Sequence, residues 1–265
     1  MKRKEDKKII IVTGGLGFLG VQHAEAILEK GNIPILVDIN KKNFPNIKKY
    51  FEKKFEHSID FKKCNICKIN QVEKLKNLIL KKYYKIDGLI NNASVNYTSE
   101  DLKKKKIDNL NMSSWKRDID VGLTGSLICS MIFGEEMNKK KGGGVIINIS
   151  SDLGLISPDQ RLYKNKKIKS IKPVSYSVVK HGIIGLTKYF ATYWPNKKVR
   201  VNALCPGGMK NNNNVEFLRK VSKLIPLGRL ANYGEYKGAI KFLLSSDSSY
   251  MNGSTLVIDG GRTII

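Results

Sequence analysis

The stretch Ile9-Ile10-Ile11-Val12-Thr13-Gly14-Gly15-Leu16-Gly17-Phe18-Leu19-Gly20 joins an apolar run to glycines that recur every three residues. Four consecutive apolar residues predict a buried strand, and the apolar spacing over Phe18–Lys30 predicts a helix. Glycine permits a tight turn and lets the backbone approach a pyrophosphate closely. With a strand before it and a helix after it, the stretch indicates a dinucleotide-binding turn. It lacks the Gly-Lys-Ser/Thr of a nucleotide triphosphatase loop.

Outward from this turn, short apolar runs alternate with segments of helical period. Further strands are predicted over Ile33–Val37, Ile59–Cys64, Ile86–Ile90, Val145–Ile149, Val199–Leu204 and Thr255–Ile258. Further helices are predicted over Val72–Tyr83, Ser113–Met137, Val174–Tyr193, Val215–Leu224 and Glu235–Ser245. The alternation predicts an α/β fold with a single domain over residues 1–265. We expect a Rossmann-type doubly wound parallel sheet of about seven strands with helices on both faces.

The composition of the 265 residues is ordinary for a globular protein except for its charge of +25. There is no run of 18 apolar residues, so we expect no membrane span. The apolar run Ile9–Val12 is too short for a secretory signal. Four scattered cysteines do not make a disulfide framework, which favours a cytoplasmic location.

The positive charge comes from lysine, which outnumbers arginine 41 to 7. Lysine, asparagine and isoleucine are all abundant, and a bias toward AT-rich codons explains that pattern. Readers of nucleic acid favour arginine, and no zinc-finger or RNA-binding motif is present, so we expect no specific nucleic-acid partner. Attraction for an anionic small substrate or weak contact with a polyanion remain alternatives.

Asp38 closes the second predicted strand, 24 residues after Gly14. A carboxylate at this place accepts hydrogen bonds from the adenosine ribose and repels a 2′-phosphate. The sequence therefore favours NAD(H) over NADP(H), although Lys41 and Lys42 are close.

Tyr176 and Lys180 are four residues apart on a predicted helix and so share one face. An ammonium about 5 Å from a phenol, at an effective dielectric near 20, favours the phenolate by roughly 3 kcal/mol. That corresponds to about two pKa units, enough to make a tyrosine useful as an acid or base. Ser150 and Ser151 follow the fifth predicted strand, at the edge where open α/β sheets bind ligands.

Six motifs occur in the order seen in short-chain dehydrogenases/reductases, and together they resemble that family over residues 8–262. They are Gly14–Gly20, Asn91-Asn92-Ala93, Ile149-Ser150-Ser151, Tyr176-x-x-x-Lys180, Asn202-x-x-x-Pro206-Gly207 and Asp259-Gly260-Gly261. The resemblance implies a homotetramer or homodimer. The block Ser157–Tyr163, together with Pro173–Trp194, is similar to reductases of bacterial surface-sugar pathways, including those for sialic-acid-like sugars.

The resemblance also implies residue roles. Tyr176 is the expected acid/base, Lys180 lowers its pKa and holds the nicotinamide ribose, and Ser151 positions the reacting oxygen. The expected substrate contacts are Ser151, Gln160, Arg161 and Tyr176. The expected cofactor contacts are Gly14, Gly15, Leu16, Gly17, Phe18, Leu19, Asp38, Ile39, Asn65, Ile66, Asn92, Ala93, Ser94, Tyr176, Lys180, Pro206, Gly207 and Met209.

Two features depart from the family pattern. Gly122 replaces an asparagine that helps to hold a proton-relay water. The interval from Ser151 to Tyr176 is about twice the usual length, because residues 157–173 form a basic insertion between catalytic residues. This insertion suggests an anionic polar substrate, and general lysine bias explains it equally.

No metal site is predicted. Cys64 and Cys67 form a single CxxC without a second pair, and structural zinc needs four ligands. His23, His57 and His181 follow no metal-ligand spacing.

We therefore expect an NAD(P)-dependent oxidoreductase that interconverts a secondary alcohol and a ketone. The expected substrate is a sugar or nucleotide-linked sugar of surface-polysaccharide or flagellin-glycan biosynthesis. Two alternatives stay open: an NAD(H)-binding scaffold or redox sensor with weak catalysis, and a polyanion-binding protein.

Overall fold

A seven-stranded parallel sheet forms the centre of the protein. A computed structural model describes residues 7–56, 59–95, 111–163, 171–194, 198–211 and 215–265. The strands are β1 (Ile9–Thr13), β2 (Ile33–Asp38), β3 (Asp60–Lys63), β4 (Gly88–Asn91), β5 (Gly144–Ile149), β6 (Val199–Pro206) and β7 (Thr255–Ile258). Their order across the sheet is β3-β2-β1-β4-β5-β6-β7, and every neighbouring pair is parallel. The predicted single-domain α/β fold is confirmed.

Helices cover both faces of this sheet. They are α1 (Phe18–Leu28), α2 (Phe44–Phe55), α3 (Ile69–Tyr83), α4 (Met112–Ile119), α5 (Gly125–Lys139), α6 (Val174–Tyr193), α7 (Val215–Ser222) and α8 (Lys237–Leu244). A π-helical turn, Asp120–Thr124, joins α4 to α5. Short 3₁₀ turns occupy Asp152–Gly154, Gln160–Tyr163, Ser246–Ser248 and Arg262–Ile264.

The apolar run of β1 serves two cores at once because successive side chains of a strand point to opposite faces. Ile9 and Ile11 pack in a cluster with apolar side chains of α3, α5 and α6. Ile10 and Val12 pack in a second cluster with side chains of α1, α2 and α8. All four residues are buried. A strand in this position must be apolar throughout, as the sequence of β1 is.

Helix α2 is absent from the sequence-based prediction. Its many lysines make the apolar periodicity hard to see in the sequence. Its apolar side chains that pack in the second cluster are Phe44, Ile47, Phe51 and Phe55. Pro45 stands in its first turn, where proline is favoured because its fixed backbone suits a helix start. The helical spacing of these apolar residues and the proline in the first turn are the sequence features that indicate this helix.

The direction of the strand order reverses at β1, which lies between β2 and β4. The helical connection that follows β1 and the one that follows β4 run over opposite faces of the sheet. A crevice therefore opens between them at the carboxyl ends of these two strands. The glycine turn follows β1, and Asn92 follows β4. The fold thus brings the glycine turn, Gly14–Gly20, and the motif Asn91-Asn92-Ala93 to one edge of the sheet.

His23 is the most unusual buried group of α1. It is 1% exposed, and neither ring nitrogen has a hydrogen-bond partner within the described ranges. Burial lowers its pKa from 6.5 to about 4, and the neighbouring Asn92 side chain opposes this effect. The imidazole is therefore neutral in the folded protein at neutral pH.

We predict that His23 makes stability depend on pH. The unfolded chain binds a proton at this residue below about pH 6.5, whereas the folded chain does so only near pH 4, so stability is lost as the pH falls between these values. Between pH 7 and pH 5, wild type should lose about 2 kcal/mol of unfolding free energy more than His23→Leu. Urea unfolding at both pH values measures this, with the exposed His181→Leu as the matched control. Parallel losses in wild type and His23→Leu would contradict the prediction.

Candidate active site

The glycine turn is packed so tightly that two of its glycines have no room for a side chain. Gly14 has φ +60°, and a Cβ there would lie 2.8 Å from Cα of Ala93. A Cβ on Gly20 would lie 2.3 Å from the carbonyl oxygen of Gly14. The Asn92 amide donates hydrogen bonds to the carbonyl oxygens of Thr13 (3.0 Å) and Gly14 (3.1 Å). The turn is thus fixed against β4 while the start of α1 stays close to it.

The amino end of α1 faces the cleft and can accept the phosphates of a dinucleotide. Gly17 caps the helix without any side-chain hydrogen bond, and its first turn contains no acidic residue. Free backbone N–H groups and the helix dipole favour an anion at such a position. This cradle of glycine and free N–H groups fits the diphosphate of NAD(P).

Asp38 lies at the carboxyl end of β2 and lines the same cleft. Its Oδ2 accepts a hydrogen bond from the backbone N–H of Leu16 at 3.3 Å. The carboxylate is therefore held at the base of the glycine turn, where an adenosine ribose would meet it.

The cleft has a volume of about 480 Å³ and runs from the glycine turn to the catalytic residues. Fifteen of the eighteen expected cofactor contacts line it, and Gly15, Leu16 and Met209 do not. Gly15 packs against Leu36, and the Met209 sulfur instead accepts a hydrogen bond from the Gln22 amide at 3.3 Å. The roles of the lining residues as cofactor contacts stay predictions.

The structure brings Ser151, Tyr176 and Lys180 together on this cleft. Ser151 follows β5, and α6 carries the other two residues in its first two turns. The ammonium of Lys180 lies 5.7 Å from the centre of the Tyr176 ring and donates a hydrogen bond to the Ile149 carbonyl oxygen at 2.9 Å. Ser150 is turned away, because its hydroxyl donates to the Lys180 carbonyl oxygen at 2.7 Å.

Burial controls the ionisation of these groups. Burial raises the pKa of Tyr176 above its ordinary value, the hydroxyl of Ser151 lowers it, Asp152 raises it, and Arg262 lowers it. Burial also lowers the pKa of Lys180 from 10.5 to about 8, with a further lowering from nearby Lys172. In the protein by itself, desolvation of the phenol outweighs these neighbouring groups. The lowering of the phenol's pKa by Lys180 stays a prediction. At neutral pH the phenol is protonated and ready to donate.

A buried ion pair lies next to Ser151. The hydroxyl of Ser151 donates to Asp152 Oδ1 at 2.7 Å, and Arg262 Nη1 donates to Asp152 Oδ2 at 2.9 Å. Asp152 and Arg262 are 2% and 8% exposed. Because Asp152 is held from two sides, it fixes the direction of the serine hydroxyl. The sequence pattern gave no signal for this contact, which joins the chain after β5 to its last residues.

Neither Gln160 nor Arg161 lines the cleft, and their roles as substrate contacts stay predictions. The Gln160 amide bonds to the backbone of Lys172, and the Arg161 guanidinium binds Asp159 in solvent at 2.8 Å. Of the basic insertion 157–173, residues 164–170 lie outside the described part of the chain. His57 lies outside it as well.

Several residues that line the cleft were not among the expected contacts. The additional lining residues are Val37, Cys64, Cys67, Val95, Val121, Ile149, Ser150, Lys172 and Asn211. Burial raises the pKa of Cys64 to about 11 and also raises that of Cys67, so both stay thiols. Lys172 matters most, since it brings a second ammonium to Tyr176. Its place four residues before the tyrosine was the available signal.

Gly122 lies in the π-helical turn between α4 and α5. A Cβ at this position would lie 2.5 Å from Cγ1 of Val179, a buried residue of α6. The Ser126 hydroxyl donates to the Gly122 carbonyl oxygen at 2.9 Å. Val179 therefore fills the space that the side chain of the family's asparagine would need. The glycine at position 122 is thus required by the packing of α6 against this turn.

Known proteins resemble this chain over nearly its whole length. A family model described as Enoyl-(Acyl carrier protein) reductase matches residues 18–263. Post-translational flagellin modification protein A of Campylobacter coli is 30% identical over 256 residues, which cover 97% of this chain and 98% of that protein. The chain belongs to the short-chain dehydrogenase/reductase family. It is an NAD(P)-dependent oxidoreductase that acts on CH–OH groups.

Solved structures share the fold of this dehydrogenase/reductase. Gluconate 5-dehydrogenase from Burkholderia cenocepacia J2315, in complex with NADP and tartrate, is 23% identical with a TM-score of 0.83, and the match covers 97% of this chain and 96% of that one. NAD⁺-bound xylitol dehydrogenase is 22% identical with a TM-score of 0.83, and the match covers 97% and 100%. Dehydrogenases with this fold thus bind either dinucleotide.

None of the helices in the described part of the chain has the length and apolar character of a membrane span. No group of three or more His, Cys, Asp or Glu side chains in these ranges could hold a metal ion.

We predict that restoring the family's asparagine will destabilise this dehydrogenase/reductase. Gly122→Asn should lower the unfolding free energy by about 1–3 kcal/mol, because the new side chain collides with Val179. Combining it with Val179→Ala should recover part of the loss, which a double-mutant cycle of urea unfolding measures. Gly185→Asn on α6 is the matched control, because a Cβ there meets nothing within 4 Å. Additive losses in the cycle would contradict the proposed collision.

Proposed function

We propose that this dehydrogenase/reductase interconverts a ketone and a secondary alcohol on a sugar or nucleotide-linked sugar. Its pathway would be surface-polysaccharide or flagellin-glycan biosynthesis in the cytoplasm. The observation that supports the reaction is the meeting of Ser151, Tyr176 and Lys180 at one end of a cleft that begins at the glycine turn.

When bound, a nicotinamide dinucleotide supplies or accepts the hydride at the substrate carbon. Gly14, Gly17 and the start of α1 would hold its diphosphate, and Asp38 its adenosine ribose. Asn92 fixes the turn on which this binding depends. Asp38 supports a preference for NAD(H), since a carboxylate repels the 2′-phosphate of NADP(H).

The chain's own groups position the substrate oxygen and move its proton. Asp152 accepts a hydrogen bond from the Ser151 hydroxyl, and the Leu153 N–H donates to the same hydroxyl oxygen. The serine's remaining lone pair can accept a hydrogen bond from a substrate alcohol. For a ketone, the serine hydroxyl must turn from Asp152 to the carbonyl oxygen. Tyr176 then donates its phenolic proton to the oxygen as the alcohol forms. Lys180, held by the Ile149 carbonyl oxygen, stabilises the phenolate that results.

Two observations support a sugar or nucleotide-linked sugar as the substrate: the name of a relative and the positive charge of the cleft. The relative with 30% identity is named for flagellin modification. Lys172 and Lys180 both line the catalytic end of the cleft, and both are cations at neutral pH. A polar and anionic substrate, such as a nucleotide-linked sugar, suits such a site.

Gly122 supports a second candidate, an NAD(H)-binding scaffold or redox sensor with weak catalysis. Val179 fills the position of the missing asparagine side chain, and the Ser126 hydroxyl donates a hydrogen bond to the Gly122 carbonyl oxygen. This candidate predicts dinucleotide binding without turnover.

We predict that the protein oxidises NADH faster than NADPH with keto-sugars or nucleotide-linked keto-sugars as substrates. Tyr176→Phe should lower kcat/KM by about 10²–10⁴-fold, because it removes the proton donor and leaves the ring in place. Absorbance of the reduced dinucleotide measures the rate. Tyr189→Phe, an exposed residue of the same helix, is the matched control. Equal rates for wild type and Tyr176→Phe would refute the tyrosine's role, and NADH binding without any turnover would favour the scaffold.

We also propose that the protein assembles as a homotetramer or homodimer. Leu127 and Met131 of α5, and Val178 and Tyr189 of α6, are large apolar side chains left exposed on neighbouring helices. Burial of such side chains favours association. Light scattering should give a mass of two or four chains for wild type, and Met131→Lys should shift it toward one. A monomeric wild type would contradict the proposal.

A further inference from the structure

We propose that Lys172 is a second cation for Tyr176, which stabilises the phenolate by lying over the face of its ring. This deepens the proposed function and rests on it, because it assigns a positioning residue to the same proton transfer. The sequence places the two lysines symmetrically, as Lys172-x-x-x-Tyr176-x-x-x-Lys180.

The geometry places the two ammonium groups at different distances from the phenol. Nζ of Lys172 lies 3.7 Å from the centre of the Tyr176 ring, and Nζ of Lys180 lies 5.7 Å from it. An ammonium within about 6 Å of a ring centre attracts the π electrons, more strongly when water is excluded. A phenolate spreads its negative charge into the ring. The attraction to Lys172 must therefore grow as the proton leaves.

Lys172 is held in place through its backbone. The Gln160 side chain accepts a hydrogen bond from the Lys172 N–H at 2.9 Å and donates one to the Lys172 carbonyl oxygen at 3.3 Å. Pro173 follows, and a proline restricts the backbone of the residue before it. The Tyr176 N–H in turn donates to the Pro173 carbonyl oxygen at 3.1 Å. Lysine and tyrosine thus share one short, braced segment at the start of α6.

Within the described ranges, no carboxylate oxygen lies within 4.0 Å of the Lys172 ammonium nitrogen, Nζ. Burial lowers the pKa of Lys172 from 10.5 to about 8, Asp152 raises it, and Arg262 lowers it. The side chain is thus still mostly charged at neutral pH. A desolvated cation without a counter-ion favours any negative charge that forms next to it.

The other charged or titratable groups around the phenol do not supply that compensation. They are Ser151, Asp152, Tyr163, Lys180 and Arg262. Asp152 and Arg262 neutralise each other at 2.9 Å. Burial raises the pKa of Tyr163, so it stays neutral. Among the described residues, Lys172 and Lys180 remain as cations of this site with no carboxylate oxygen within 4.0 Å.

The proton balance of the step is simple. The O–H bond of Tyr176 breaks, its proton passes to the substrate oxygen, and the electron pair stays on the phenolate. The charge that appears on the phenolate lies close to two ammonium groups, which are 3.7 and 5.7 Å from the ring centre before the reaction begins. Such preorganised charges lower the barrier without reorganisation.

The first experiment titrates the phenol directly. Tyrosinate absorbance is followed between about pH 6 and pH 11, with and without saturating NAD⁺, and the curve of Tyr176→Phe is subtracted. A charge about 5 Å away, at an effective dielectric near 20, moves a pKa by about two units. We therefore expect the phenol's pKa to rise by about one to two units in Lys172→Met, or to leave the range. Lys172→Arg should restore the wild-type value, and the exposed Lys188→Met is the matched control.

The second experiment follows alcohol oxidation as a function of pH. Lys172→Met should move the acidic limb of the kcat profile upward by the same shift and leave KM for an uncharged alcohol nearly unchanged. Gln160→Leu should give a smaller shift, because the amide acts only through the lysine's backbone.

Three results would overturn the proposal. One is an unchanged phenol titration in Lys172→Met, and another is failure of Lys172→Arg to restore it. The third is an effect confined to KM for anionic substrates, which would make Lys172 a substrate-binding residue instead. If no substrate turns over, or no dinucleotide binds, the proposed function fails, and the titration of the protein alone still decides the role of Lys172.

Discussion

The close approach of α1 to the end of β1 is the constraint on which the rest of the structure depends. Gly20 lies against the carbonyl of Gly14, at a distance that leaves no room for even a methyl group. This contact holds the helix's free N–H groups at the switch point of the sheet. Asn92 closes the turn from β4, so the two halves of the sheet meet there. The cleft exists because these two backbones touch.

At the other end of the cleft, charge rather than packing organises the site. The catalytic end holds one buried ion pair, Asp152 with Arg262, and two lysines without an acidic partner in the described chain. Burial disfavours ionisation of the phenol and of both lysines. The protein thus holds a neutral acid near two cations. That arrangement favours loss of the proton once a substrate is there to accept it.

Local patterns in the sequence were enough to predict much of this. The glycine turn, the seven strands and the Tyr176–Lys180 spacing depend on residues close together in the chain, so they could be recognised without coordinates. The pKa direction of Tyr176 could not, because desolvation depends on how deeply α6 packs. The contacts of Asp152 with Arg262 and of Gln160 with Lys172 join separate segments, and no spacing rule predicts them. Gly122 was seen as a departure, but only the position of Val179 explained it.

The bracing of Lys172 by Gln160 has a consequence for changes of chain length between these two residues. Two hydrogen bonds join the Gln160 side chain to the backbone of Lys172, twelve residues later in the chain. Lengthening a segment whose ends are already joined costs little free energy. Insertion or deletion between Gln160 and Lys172 therefore leaves the lysine tied at the start of α6.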